Sequence, residues 1–317
     1  MFYIHHTTCI SAQHTFGNVD LSTLKESVDN ELIALEPDYD SIPPGLLRRM
    51  GKAVRFGVGA GLSLLKEKKT NGIIIGTANG GLEDCVKFLI QIIEFEEGRL
   101  TPTNFVQSTT NAVASSLGLM TGNKGYNVTH VHRGLSFENA MLDTAMLLSE
   151  NPDHSYLLGG LDEISPYNNT IERLGKWYKE SAASNTELYN IKSPGSLAGE
   201  GAAMFLVNNK PIGALARIIS MKMLHTTDNE EVVKFLQTFL EPFLKTGITP
   251  DLLITGENGD ERHLPFYEAV ENEISNDVSI MRYKHMSGEY PTSSAFALWL
   301  STKVLNLEIL PLHLFKR

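Results

Sequence analysis

One pattern constrains this chain more than any other, the regular alternation of two kinds of segment. Apolar β-type runs lie at 2–11, 72–78, 126–132, 154–160, 202–207, 215–223, 251–256 and 278–283. Amphipathic, helix-length stretches lie at 45–67, 82–97, 110–121, 136–150, 229–246, 262–275 and 292–304. Such alternation specifies an α/β fold with a largely buried central sheet. At 317 residues the chain is longer than one small core requires and long enough for two packed halves. The least patterned stretch, 165–198, is polar and turn-rich, which places a boundary there and gives halves at 1–165 and 166–317. Each half has the same coarse order of strands and helices, without a residue-level repeat.

Charge and composition narrow the function classes. A net charge of −10 argues against general nucleic-acid binding, which needs a basic footprint. Apolar runs such as "GIIIGTA" at 72–78 and "HSYLLGGL" at 154–161 fall far short of the ~20 residues of a membrane span, so no membrane insertion is expected. The opening "MFYIHHTTCISAQHTF" has no basic start followed by an apolar block, and reads as a first strand rather than a signal peptide. Two cysteines, Cys9 and Cys85, make neither a disulfide framework nor a metal cluster, and suit a reducing cytoplasm. Neither His5-His6 nor the pair His130/His132 has a zinc-spaced partner group, so no metal is expected. "LLRRMGKAVR" at 46–55 gathers Arg48, Arg49, Lys52 and Arg55 into about two helical turns. That is either a solvated helix face or a docking face for an acidic protein.

Four short motifs follow one another. "GIIIGTANGGLED" at 72–84 is a buried strand with glycines that permit a close turn into a helix. "YLLGGLDEIS" at 156–165 is a strand ending in paired glycines and acids; "SLAGEGAAMFLV" at 196–207 sets Gly199, Glu200 and Gly201 before a small-residue strand. "YKHMSGEYPTSSAFAL" at 283–298 is a strand end, a glycine turn and a helix that opens with small residues. In this order they resemble the β-ketoacyl-acyl-carrier-protein synthases of the thiolase-like fold. "GEGAA" at 199–203 is the family signature unaltered, Gly159-Gly160-Leu161-Asp162 is similar to its Gly-Gly-x-Glu strand end, and Lys284 to Glu289 resembles its Lys-Ser-x-x-Gly-His segment. The resemblance implies two related α/β halves in a layered α-β-α-β-α arrangement. It also implies a dimer, with itself or with an active ketosynthase, formed through the segment leading into the elbow at 129–141. No cofactor is implied beyond the phosphopantetheine arm that arrives on the acyl carrier protein.

The departures are as informative as the matches. The family works with a Cys-His-His set in which the cysteine carries the acyl thioester and the histidines assist decarboxylation and oxyanion stabilisation. Counted without gaps from Gly125, the cysteine position falls on Gly134, give or take one or two residues, flanked by His132, Arg133, Leu135 and Ser136. Gly256 or Glu257 stands where the first histidine belongs, and Glu289 replaces the second, while Lys284 is retained. Glycine cannot form a thioester, and Glu257 and Glu289 facing one pocket would repel each other unless one is protonated or both meet Lys284.

Three readings follow. In the first, the chain is a ketosynthase-like subunit, similar to chain-length factors, that does not condense on its own. It pairs with an active ketosynthase and shapes or limits a carrier-bound acyl, polyketide or aryl-polyene chain. In the second it is an acyltransferase or hydrolase with altered chemistry. Ser136 would then be the nucleophile with His130 or His132 as base, or Glu257 or Glu289 would act as acid or base beside Lys284. A serine just past a strand end is more often a helix cap, and Ser136 reads also as the cap of the helix at 136–150. In the third it is a binding protein, although "GTANGG" lacks the residues of a phosphate loop or dinucleotide fingerprint. The resemblance turns the basic cluster into a carrier-protein docking site, with Arg48, Arg49 and Lys52 as its members.

Overall fold

The computed structural model describes residues 1–66, 68–306 and 310–317; Glu67, the last residue of the helix expected at 45–67, lies outside the described residues. The chain begins with β1 (Phe2–Ile10), β2 (Glu31–Leu32), α1 (Pro44–Leu47), α2 (Lys52–Leu65), β3 (Gly72–Gly76), α3 (Leu82–Glu94) and α4 (Pro102–Gln107). It continues through α5 (Ala112–Thr121), β4 (Tyr126–His130), α6 (Ser136–Glu150), β5 (Ser155–Asp162), α7 (Pro166–Leu174), β6 (Ala198–Gly199) and β7 (Gly201–Asn208). The remaining elements are β8 (Ala216–Ile218), α8 (Asn229–Leu244), β9 (Leu252–Thr255), α9 (Leu264–Asn272), β10 (Ser279–Arg282), α10 (Lys284–Ser287) and α11 (Ser294–Val304).

Six strands form the main sheet in the order β4-β3-β5-β7-β1-β8. β4, β3 and β5 are mutually parallel, whereas β7 and β1 run antiparallel to their neighbours. Strands from both sides of residue 165 therefore share one sheet. The period-2 alternation of side chains explains how it is covered. Ile73 and Ile75 point into one core with α2 and α5, where Leu157, Leu161, Met204 and Leu206 join them. Ile74 points the other way, with Tyr156, Leu158, Phe205 and Val207, against Phe137 of α6 and Phe296 and Trp299 of α11. Beyond α6 and α11, the same core reaches the small parallel sheet of β9 and β10 through Leu252, Ile254 and Met281. The layers thus run helix, sheet, helix, sheet, and α8 packs on α9.

The strand expected at 215–223 is confined to Ala216–Ile218, and the short helix α4 is not among the expected helices; two further differences have identifiable reasons. The helix expected at 45–67 breaks between Leu47 and Lys52. A Cβ on Gly51 would lie 2.1 Å from Asp84 Oδ2, and the Gln107 side chain takes the Gly51 N–H at 2.6 Å and donates to the Arg49 carbonyl. Within the unpatterned 165–198 stretch stands α7, opened by Ser165, whose Oγ accepts from the Asn168 N–H at 3.2 Å, and by Pro166 in its first turn.

The "GEGAA" motif sets up the site. Gly199 crosses Gly288 so closely that a Cβ on Gly199 would meet the Ser287 carbonyl oxygen at 2.1 Å. Gly288 itself has φ +71°, which glycine adopts without strain. The crossing is tied by Gly199 N–H to Glu289 O at 3.0 Å and Glu289 N–H to Leu197 O at 2.8 Å. It turns the chain back on itself, so that Glu289 and the residues after it return to Lys284.

Candidate functional site

The elbow after β4 carries its strain on Arg133, whose φ is +44°, one residue before Gly134 and within the span anticipated for the missing nucleophile. A non-glycine residue held in the left-handed region costs about 1 kcal/mol or more and marks the tip of the turn. The arginine side chain reaches across to Trp177, its guanidinium carbon 5.2 Å from the ring centroid, a cation–π distance. Ser136 Oγ is fully buried, donates to the Arg133 carbonyl at 2.8 Å and accepts the His132 N–H at 2.7 Å. Its hydroxyl therefore ties the turn backward instead of capping α6 or facing substrate. His130 is bound to Asp143 at 2.9 Å and His132 is exposed, so the Ser136–His pair considered from sequence is not assembled.

A cavity of about 690 Å³ opens between this elbow and the 283–294 segment. Gly134 and its flanking Arg133 line it with Lys284, Glu289 and Gly256, joined by Glu138, Ser293 and Ser294, to which the sequence reading gave no role in the site. Lys284, almost wholly buried, holds Glu289 Oε1 at 2.8 Å and Ser293 Oγ at 2.5 Å. Asn258 Nδ2 binds the other carboxylate oxygen of Glu289 at 3.1 Å. Arg262 clamps Asp260 at 2.5 Å on the same wall. Glu138 Oε2 and Ser294 Oγ are buried against the cavity without a hydrogen-bond partner among the described residues. Burial holds the Glu138 carboxyl above its ordinary range, although the nearby Lys284 charge acts in the opposite sense.

Glu257 corrects an expectation. Rather than facing Glu289, it is buried between Arg282 at 3.2 Å and Lys316 at 2.5 Å. Lys316 also bridges to Glu271 at 2.8 Å. The two carboxylates are neutralised separately, so the anticipated repulsion does not arise. Neither cysteine lines the cavity. Cys9 is packed in the core on β1, where burial pushes its thiol up to about 12, and Cys85 lies on α3. The sidedness of Glu257 could not be read from "ITGENGD", because its partners come from β10 and from residue 316. Nor could Ser293 be found, since its meeting with Lys284 depends on the reversal at Gly288.

The basic cluster forms a corner rather than a helix face. Arg48 and Arg49 are exposed after α1 and line a second cavity of about 850 Å³. Lys52 lines it too, but its ammonium is already engaged by Glu200 at 2.6 Å and the Ile164 carbonyl at 2.7 Å. Glu200, the acid of "GEGAA", is fully buried and also accepts the Ala34 and Ile164 N–H groups at 3.1 and 2.8 Å. Arg55 pairs with Glu36. Arg48 and Arg49 make no ion pair among the described residues.

The profile described as "Beta-ketoacyl synthase, N-terminal domain" matches residues 25–184, half of the chain, and the chain belongs to the beta-ketoacyl synthase family. Solved structures share its thiolase-like ketosynthase fold. The ishigamide ketosynthase/chain length factor superposes with a TM-score of 0.71 at 17% identity, covering 96% of this chain and 90% of that one. A beta-ketoacyl synthase from Burkholderia phymatum STM815 gives 0.72 at 15% identity, covering 96% and 86%. The AntDE:AntF complex, a type II PKS acyl-carrier protein with its ketosynthase bound to the hexaketide, gives 0.69 at 16% identity, covering 96% and 92%. A comparison with curated proteins returns no match.

Proposed function

We propose that this chain is a ketosynthase-family subunit that does not condense on its own and that pairs with an active ketosynthase, shaping or limiting the chain carried by an acyl carrier protein. The observation that carries the reading is the elbow, where a strained Arg133 and Gly134 occupy the tip and Ser136 is locked into the turn. Among the described residues no cysteine lines the cavity to hold an acyl group, and the histidine that does line it, His263, lies beside Asp260 at 3.9 Å. Lys284 and Glu289 close on each other where the family has lysine and histidine. The pairing is supported by β4, which ends the main sheet, with Tyr126, Val131 and Leu119 exposed beside it. An unpaired edge with apolar neighbours is a template for a partner strand. The similarity to a ketosynthase/chain length factor structure points the same way. Arg48 and Arg49 supply the charge for an acidic carrier protein.

Co-expression tests the reading. Produced with a cysteine-bearing ketosynthase from its own genome, the chain is expected to co-purify as a one-to-one heterodimer whose product length changes when cavity residues are altered. Purification of the two proteins as separate species would overturn it.

A further inference from the structure

We infer that Ser293, polarised by Lys284 and Glu289, is a nucleophile able to take an acyl group from a thioester. Ser293 lines the 690 Å³ cavity, and its Oγ lies 2.5 Å from Lys284 Nζ, which in turn lies 2.8 Å from Glu289 Oε1. The residue stands at the cap position of α11, where a serine hydroxyl ordinarily bonds the first turn, yet it makes no such bond. Its oxygen instead accepts from Lys284 Nζ. A serine beside a lysine that is oriented by a third group has the arrangement of an activated nucleophile.

The surroundings fit that role. Thr292, the preceding residue, is fixed through its N–H and hydroxyl to Asp162 at 3.1 and 2.8 Å, and the Ser293 N–H is held by the Tyr290 carbonyl at 3.0 Å. The nucleophile is therefore rigidly placed. The positive end of the eleven-residue helix α11 begins at Ser294, and Arg133 lines the same cavity; both favour negative charge developing on a carbonyl oxygen. Asn258 holds the free oxygen of Glu289, leaving Oε1 to the lysine.

In the step itself, Lys284 in its free-amine form accepts the Ser293 hydroxyl proton as Oγ adds to the thioester carbonyl carbon, and Glu289 holds the resulting ammonium in place. Collapse breaks the C–S bond, and the proton from Lys284 leaves with the thiol, giving a serine ester. Addition of water then releases the carboxylic acid and restores the hydroxyl. The substrate class rests on the reading that this chain meets carrier-borne acyl groups; the reactivity of the serine does not.

The test uses a fluorophosphonate probe on the purified full chain, with the adduct mapped by peptide mass spectrometry, and thiol release from butyryl-pantetheine. The expected result is a single adduct on Ser293 that Ser293→Ala abolishes. Lys284→Met should slow labelling roughly a hundredfold and remove its rise with pH. An unlabelled wild-type protein, an adduct on another residue, or labelling that survives in S293A overturns the proposal, and the wild-type result stands even if a variant misfolds. Labelling without thiol release retains the nucleophile but overturns the thioester as its substrate. Heterodimer formation with a ketosynthase is read without reference to Ser293, so each idea can fail alone.

Discussion

Replacement of Asp162 by alanine should loosen the anchoring of Thr292, next to the cavity-lining Ser293, and the loss can be worked out donor by donor. Its fully buried carboxylate accepts five hydrogen bonds. Three come from the turn after β3, at Thr77 Oγ1 (3.1 Å), Ala78 N–H (2.9 Å) and Asn79 N–H (2.7 Å). Two come from Thr292, through its N–H (3.1 Å) and its hydroxyl (2.8 Å). The hydroxyls can rotate to other acceptors, but three backbone N–H groups cannot, and each buried donor left unpaired costs about 1–3 kcal/mol. Allowing for non-additivity, Asp162→Ala should lower stability by roughly 3–6 kcal/mol. At ~2–3 °C per kcal/mol for a chain of this size, Tm should fall by roughly 6–18 °C. Asp162→Asn keeps one carbonyl oxygen but turns an amide donor toward other donors, so an intermediate loss is expected. Urea and thermal unfolding of the three proteins would measure this. A loss under about 1 kcal/mol for the alanine variant would refute the assignment of Asp162 as the tie between the β3 turn and the 292–294 segment.

Other predictions concern charge. Reversal of Arg48 and Arg49 to Glu should weaken acyl-carrier-protein binding at least about tenfold at low salt and flatten its salt dependence; titration calorimetry showing unchanged affinity would remove the docking site. Glu163, buried and accepting the Ala53 N–H at 3.0 Å, has its carboxyl pushed up to about 7 by burial, against the opposing hydrogen bond. Its folded value lies above its unfolded one, so its contribution is fully present below about pH 4.5 and is lost as pH rises toward 7. Glu163→Gln should therefore gain stability relative to wild type between pH 5 and pH 8 (equilibrium urea midpoints measure it), and a constant difference would contradict the assignment. His285, pushed down to about 3 chiefly by burial, sits in a chain from Tyr189 through His313 to the Leu21 carbonyl. Its folded value lies below its unfolded one, so its contribution falls as pH drops from about 6.5 toward 3. His285→Gln should flatten that acid limb, and an unchanged limb would refute the link.

Where local pattern and tertiary context agreed, the sequence was sufficient to place the elements. The amphipathic run at 136–150 is α6 residue for residue, because its apolar stripe meets the sheet it was patterned to meet. "GEGAA" was legible as a signature, and its physical basis is the Gly199–Gly288 crossing. What remained hidden depended on distant partners. Gly51 breaks a run of good helix formers because Asp84 and Gln107 occupy its flank. Lys52 looks like a docking cation until Glu200 is brought beneath it. Glu257 and Glu289 read as a facing pair, but Arg282 and Lys316 draw one of them away. Ser293 read only as a small residue opening a helix, since nothing local reports that Lys284, nine positions earlier, returns to its hydroxyl.

The account turns on whether this chain makes a carbon–carbon bond by itself. Purified chain incubated with malonyl- and acyl-carrier proteins, followed by mass analysis of the carrier-bound products, decides it. The account predicts no 3-oxoacyl product from the chain alone and its appearance once an active ketosynthase is added. A 3-oxoacyl carrier formed by the chain alone would contradict it.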